Sequence, residues 1–160
     1  MKYVLFTIYT AMICVQLSIA QTANDSTNLN PNYDKNLALK LGADDFGMKS
    51  YFLIILKSGT NTSTDKELIN KSFKGHFENI NKMVETGKLV LAGPIGKNED
   101  NFRGIFILQN IKTQQEVKAL LANDLAIMNN FLDYSIYPWY GSASLPEYLP
   151  FADKIWRKNP

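Results

Sequence analysis

The sequence predicts an α+β fold: a four-stranded antiparallel sheet with two helices on one face and a second copy of the chain packed on the other. Three observations carry this. The hydrophobic patterns run in the order strand, helix, strand, strand, helix, strand. The first and third strands are apolar at odd and even positions alike, which requires cover on both faces of the sheet. The second and fourth are short or marked by proline, which suits edges. A chain of 160 residues, 46% hydrophobic, allows one such domain and little more.

The first strand is Tyr51-Phe52-Leu53-Ile54-Ile55-Leu56, ended by the polar run from Lys57 to Asn61. Thr64-Asp65-Lys66-Glu67 opens the first helix, with Thr64 as its cap and Glu67 three residues on. Along that helix Phe73, Phe77, Ile80 and Val84 recur at spacings of three and four, which defines an apolar stripe. His76, the only histidine, falls within or beside it. Thr86-Gly87 stops the helix, Leu89-Val90-Leu91-Ala92 is the second strand, and Gly93-Pro94 reads as a turn. After a polar loop, Gly104-Ile105-Phe106-Ile107-Leu108 is the third strand. Thr113-Gln114-Gln115-Glu116 is a capping box for the second helix, whose stripe of Val117, Leu120 and Leu121 continues in register to Asp124. A carboxylate thus takes the next slot on a buried face.

Residues 132–139 form the last strand, with Leu132, Tyr134 and Ile136 on one face and Asp133 and Ser135 on the other. Pro138 places it at an edge or a strand end. The whole order is the ferredoxin-like βαββαβ arrangement, with both helices on one face. A soluble protein does not leave the other apolar face bare, so the sequence predicts a homodimer.

The domain occupies residues 49–140. Before it, residues 1–20 read as a signal peptide: a lysine at position 2, an apolar run free of acidic residues, and Ser18-Ile19-Ala20 at the cleavage site. Cleavage near Ala20 makes the protein periplasmic or secreted, with no membrane attachment in the mature form. The rival is an uncleaved anchor, because an apolar run of about 17 residues is at the lower limit for spanning a bilayer. Residues 21–48 read as a flexible segment, with a helical turn over Leu37-Ala38-Leu39-Lys40-Leu41 that ends at Gly42. Residues 141–160 read as an aromatic and proline-rich tail that wraps over the domain or its partner.

Several function classes drop out. The formal charge is +2 and no basic cluster alternates with exposed aromatics, which argues against nucleic acid. The one cysteine, Cys14, lies in the leader, so the mature chain has no disulfide and no thiolate. One histidine makes a dedicated zinc centre a poor expectation, and no phosphate loop or other cofactor motif is present. The expectation is therefore no metal and no cofactor.

His76 and Asp124 are the two polar residues that interrupt an apolar stripe, one on each of two helices packed side by side. A histidine hydrogen-bonded to a carboxylate is held in one tautomer and its imidazolium is stabilised, which suits proton transfer near neutral pH. The competing reading is a partly buried core histidine and an end-of-helix turn residue. Arg103 offers a cation to an anionic substrate or is a surface arginine. The Gly93-Pro94-Ile95-Gly96 stretch offers backbone N–H groups. Tyr51, Tyr137 and Trp139 line a pocket or belong to the core. Asp44 and Asp45 read as a solvated turn or a helix cap.

These residues resemble the YCII-related family of the dimeric α/β-barrel group. The resemblance rests on Tyr51 through Lys57, on His76-Phe77-Glu78-Asn79-Ile80 and on Gly87-Lys88-Leu89-Val90-Leu91-Ala92-Gly93-Pro94. Arg103-Gly104-Ile105-Phe106-Ile107-Leu108, Asn123-Asp124 and Tyr137-Pro138-Trp139-Tyr140 complete it. The flanks further resemble exported members from Bacteroidetes-like bacteria. The resemblance implies a His-Asp active site at His76 and Asp124. One branch of the family is similar to a lyase that eliminates hydrogen chloride from a chlorinated aromatic, and most members have no assigned substrate. The sequence departs from the family at Leu125, where a proline usually follows the aspartate, so the turn that fixes the carboxylate is expected to be looser. The reading is an exported lyase or hydrolase for a small anionic or phenolic molecule, with Tyr51, Gly93, Pro94, Arg103 and Trp139 about the substrate. The alternative is a non-catalytic dimer that binds a small molecule or another protein.

Overall fold

Strand β1 (Met48–Ser58) is paired along its whole length, with β3 (Phe102–Leu108) on one side and β4 (Leu132–Ser142) on the other. With β2 (Leu89–Pro94) beyond β3, the sheet order is β2-β3-β1-β4 and all three pairings are antiparallel. The two strands that are apolar on both faces are therefore the central ones. The computed structural model describes residues 30–155 and 157. The leader and residues 21–29 of the segment that follows it lie outside the described residues. Among the described residues no helix is long and apolar enough to cross a membrane.

Helix α1 (Lys35–Leu41) is capped by Asp34, whose carboxylate accepts from the amides of Asn36 and Leu37, and it ends at Gly42. A turn at Asp44 then leads into β1: Asp44 accepts from the amides of Phe46 and Met48. The long helix α2 (Lys66–Glu85) is capped by Asp65 rather than Thr64, with the Asp65 carboxylate accepting from Glu67 and Leu68. Helix α3 (Gln114–Leu121) opens on the expected capping box, in which the Glu116 amide donates to Thr113 Oγ1 and the Thr113 hydroxyl donates back to Glu116.

Three other details differ from the sequence reading. Gly93-Pro94 is not a turn: the β2 ladder continues through both residues, opposite Ile105 and Gly104. An edge strand tolerates proline there because its N–H side needs no partner. The second helix does not run to Asp124. It stops at Leu121, and Asp124 caps a separate short helix, α4 (Leu125–Met128). β4 continues past Trp139 to Ser142, and the tail forms a 3-10 turn (Leu145–Tyr148) and helix α5 (Leu149–Ile155).

Alternation along the strands divides the core in two. Phe52, Ile54, Leu56, Phe106 and Leu108 face the helices and pack with Met83, Val117, Leu121 and Ala126. Tyr51, Val90 and Ile107 face the other way, with Leu53, Leu91 and Trp139 beside them. The chain itself covers part of this second face: Leu145 packs into that cluster and the Tyr148 hydroxyl donates to the Val90 carbonyl.

Candidate functional site

The site is built on the buried face of α2, which takes in only part of the stripe its apolar residues mark: Phe73 and Ile80 are partly buried against the core. Ser72, Gly75, His76, Asn79 and Met83 are buried, while Phe77 and Val84 are more than half exposed. The centre of the buried face is displaced by one residue, about 100° of helix, with Phe73 and Ile80 left at its flank. The rotation is physically reasonable because each buried polar group has a partner across the helix contact. Ser72 Oγ donates to the Leu68 carbonyl and accepts from Asn129 Nδ2 at 2.8 Å. Asn79 Nδ2 donates to the Leu120 carbonyl at 3.2 Å. No fully buried side-chain nitrogen or oxygen among the described residues lacks a hydrogen bond.

Between these two contacts His76 Nδ1 donates to Asp124 Oδ2 at 2.6 Å. Asp124 is completely buried and His76 is 8% exposed. The other carboxylate oxygen, Oδ1, accepts from the amides of Ala126 at 2.9 Å and Ile127 at 3.3 Å, which closes the first turn of α4. The turn after Asp124 is thus held by the aspartate itself, with Leu125 at the first helical position where a proline would also fit.

An ionised carboxylate only accepts, so the proton of the shared bond is carried by Nδ1, and the lone pair of the neutral ring is on Nε2. Nε2 has no hydrogen bond among the described residues. The His76 side chain keeps 10% of its surface exposed. The ring is held by aromatic neighbours: it stacks on Phe106 with centroids 5.9 Å apart, and meets Phe73 and Phe77 edge-on at 6.2 and 5.6 Å. The arrangement is a largely buried, fixed imidazole with one nitrogen anchored to a carboxylate and the other without a partner among the described residues, a group that can take up or release a proton.

Gly75 is the participant that reading for chemistry overlooks. A Cβ placed on it would lie 2.7 Å from Leu125 Cβ and 2.5 Å from Leu125 Cγ, and it would also overlap Cδ1. The missing side chain is the space into which α4 packs. Its sequence signal was a glycine inside a helix, which costs about 1 kcal/mol relative to alanine and so calls for a reason.

The other candidate residues are not brought to this pair. Tyr51 and Trp139 are on the opposite face of the sheet, in tilted contact with centroids 5.3 Å apart. The Tyr51 hydroxyl donates to the Ser142 carbonyl at 2.7 Å, and burial pushes its phenol above the usual range. The Trp139 ring lies over Gly141, where a Cβ would meet Cζ3 at 2.5 Å. Both residues also line a cleft of about 400 Å³ with Phe52, Ile111, Lys112 and Tyr140, and neither His76 nor Asp124 lines it.

Tyr137 is exposed on the β4 edge. Arg103 is exposed at a register shift, where Leu56 pairs with Gly104 and Lys57 with Phe102. Among the described residues no hydrogen bond or ion pair links Arg103 to His76 or Asp124. Gly93 and Pro94 are strand residues, and the next amide, that of Ile95, donates to the Arg103 carbonyl at 2.9 Å. Asp44 is a solvated turn residue: the Tyr140 hydroxyl, followed by the Met48 amide, holds its carboxyl below the usual aspartate range. Among the described residues no group of three or more His, Cys, Asp or Glu side chains is placed to hold a metal ion.

No family model matches the sequence, and no curated protein matches it. Among solved structures the chain is similar to 5-chloro-2-hydroxyhydroquinone dehydrochlorinase from Burkholderia phenoliruptrix AC1100, in complex with 2,5-dihydroxybenzoquinone. The identity is 18% over 56% of this chain and 92% of that one, with a TM-score of 0.39.

Proposed function

We propose that this protein is an exported, cofactor-independent enzyme of the YCII-related type that moves a proton on a small anionic or phenolic molecule, by lyase or hydrolase chemistry. His76 Nε2 exchanges the proton with the substrate. Asp124 holds the ring in the tautomer that leaves Nε2 free to accept. The observation that carries the reading is the 2.6 Å bond between His76 Nδ1 and Asp124 Oδ2, with Oδ1 held separately by two amides. A buried carboxylate with both oxygens engaged is a rigid orienter, the role a general base needs behind it. Export rests on the leader at residues 1–20.

The active form is proposed to be a homodimer packed through the second sheet face. Leu53, Ile55 and Ile105 are only half-buried there, and the tail covers part of the remainder. A sedimentation mass of two mature chains at micromolar concentration is expected; one chain would contradict it.

The test of the site is a thermal-shift screen of small phenolic and carboxylate compounds against the wild type and His76→Ala. A substrate-like compound raises the melting temperature of the wild type and not of the variant, because a ligand stabilises only the form that binds it. A compound that stabilises both equally argues against His76 as a contact. A second reading, a non-catalytic binding module, is favoured by the cleft that Tyr51 and Trp139 line apart from the pair. It predicts a compound whose shift survives His76→Ala and is lost in Trp139→Ala.

A further inference from the structure

We propose that Gly75 and Leu125 are positioning residues: the missing side chain at 75 sets the separation of α2 and α4 that places Asp124 on His76 Nδ1. The inference rests on the dyad reading above, yet it concerns the hydrogen bond and not turnover.

Gly75 has ordinary helical backbone angles; the glycines with positive φ are Gly42, Gly47 and Gly87. Its backbone therefore does not demand glycine, and the space above it does. The Cβ of an alanine would meet Leu125 Cβ at 2.7 Å and Cγ at 2.5 Å. Leu125 Cγ and Cδ1 can turn aside in another rotamer. Its Cβ cannot, because it is fixed to the α4 backbone. To restore an ordinary contact of 3.4 Å, α4 must withdraw by about 0.7 Å.

That withdrawal falls on the reacting pair because of where the contact lies. Gly75 is bonded to His76, and Leu125 is bonded to Asp124. The far end of α4 is pinned: Asn129 Nδ2 donates to Ser72 Oγ at 2.8 Å, and the Asn129 carbonyl accepts from Asn61 Nδ2 at 2.7 Å. The strain is thereby directed to the end that carries Asp124. A bond of 2.6 Å lengthened by that amount leaves the range of charge-assisted hydrogen bonds. A four-residue helix held at one end and seated on a glycine at the other is a spacer for the carboxylate.

The test uses the single histidine, which gives one unambiguous set of imidazole signals. In the 15N-labelled full chain, the Nδ1 proton is followed by its proton shift and its exchange with solvent. In the wild type it is shifted downfield and exchanges slowly. Gly75→Ala is expected to speed that exchange roughly tenfold or more, since loss of a charged hydrogen bond is worth at least one factor of ten. The double variant Gly75→Ala with Leu125→Gly removes the three atoms nearest the added Cβ and is expected to restore slow exchange.

Gly75→Ala with exchange as slow as wild type overturns the proposal. So does a double variant that fails to restore the signal. If Gly75→Ala does not fold, the double variant is compared with Leu125→Gly alone: equal protection supports the spacer role, and lost protection overturns it. A wild type with no protected Nδ1 proton instead overturns the dyad itself.

Discussion

Replacing Asp124 by asparagine or alanine separates what the carboxylate does for the fold from what it does for the histidine. Asparagine keeps the volume and one carbonyl oxygen. That oxygen stays on the Ala126 and Ile127 amides, because flipping the group would break two hydrogen bonds to save one. The amide nitrogen then faces His76 Nδ1. Two donors cannot share a bond, so Nδ1 gives up its proton and the neutral ring carries it on Nε2. The tautomer reverses while the cap survives. The stability cost is the difference between a charged and a neutral hydrogen bond, about 1 kcal/mol.

Alanine removes all three accepted bonds. The lost cap costs about 1 kcal/mol and the stranded, nearly buried Nδ1–H about 2 kcal/mol more. At about 4 °C per kcal/mol for a domain of this size, melting should fall by about 4 °C for Asp124→Asn and about 12 °C for Asp124→Ala. Circular dichroism gives the melting temperatures. Long-range 1H–15N correlation of the sole histidine above neutral pH gives the tautomer, with Nδ1–H expected in the wild type and Nε2–H in Asp124→Asn. An alanine variant that melts within about 2 °C of wild type, or an asparagine variant that keeps Nδ1–H, would refute the reasoning.

Acylation of the histidine by diethyl pyrocarbonate should occur at Nε2 alone in native protein, and mapping by mass spectrometry and NMR that finds modification at Nδ1 would count against the anchored geometry. The Asp44 carboxyl should titrate below the ordinary aspartate value of about 3.9, because the Tyr140 hydroxyl and the Met48 amide favour its ionised form. Its contribution to stability is then present above the unfolded value and is lost as pH falls through the lower, folded one. Tyr140→Phe should move the Asp44 carbonyl-carbon titration upward, and an unmoved midpoint would remove Tyr140 as the cause. The opposite sign holds for Tyr140, whose phenol is raised by Asp44: its share is present below the unfolded value and is lost as pH rises through the folded one.

The sheet was legible in the sequence because burial on two faces leaves a mark that does not depend on partners. The unbroken apolar runs in β1 and β3 put them in the centre. The phase of α2 is legible only in part: Phe73 and Ile80 pack against the core, but apolar Phe77 and Val84 are more than half exposed while Ser72, His76 and Asn79 are buried. A polar side chain reads as exterior until its partner is known, and here the partners lie about forty to sixty residues away. His76 and Asp124 both stand out in the sequence, although the apolar pattern puts Asp124 on the second helix and it in fact caps α4. The Asn123-Asp124 dipeptide carried that signal, a helix stop followed by a favoured cap. The sequence groups Tyr51 and Trp139 with the pair because it shows strand ends, not which face a residue takes once registers are set.

The measurement closest to the central claim is the rate of conversion of a compound that the thermal-shift screen selects, compared between wild type and His76→Gln. Glutamine keeps polarity and approximate size but cannot exchange a proton near neutral pH. A fall of about 10²- to 10⁴-fold in kcat is expected if His76 is the general base or acid, and a rate that stays close to wild type would contradict the account.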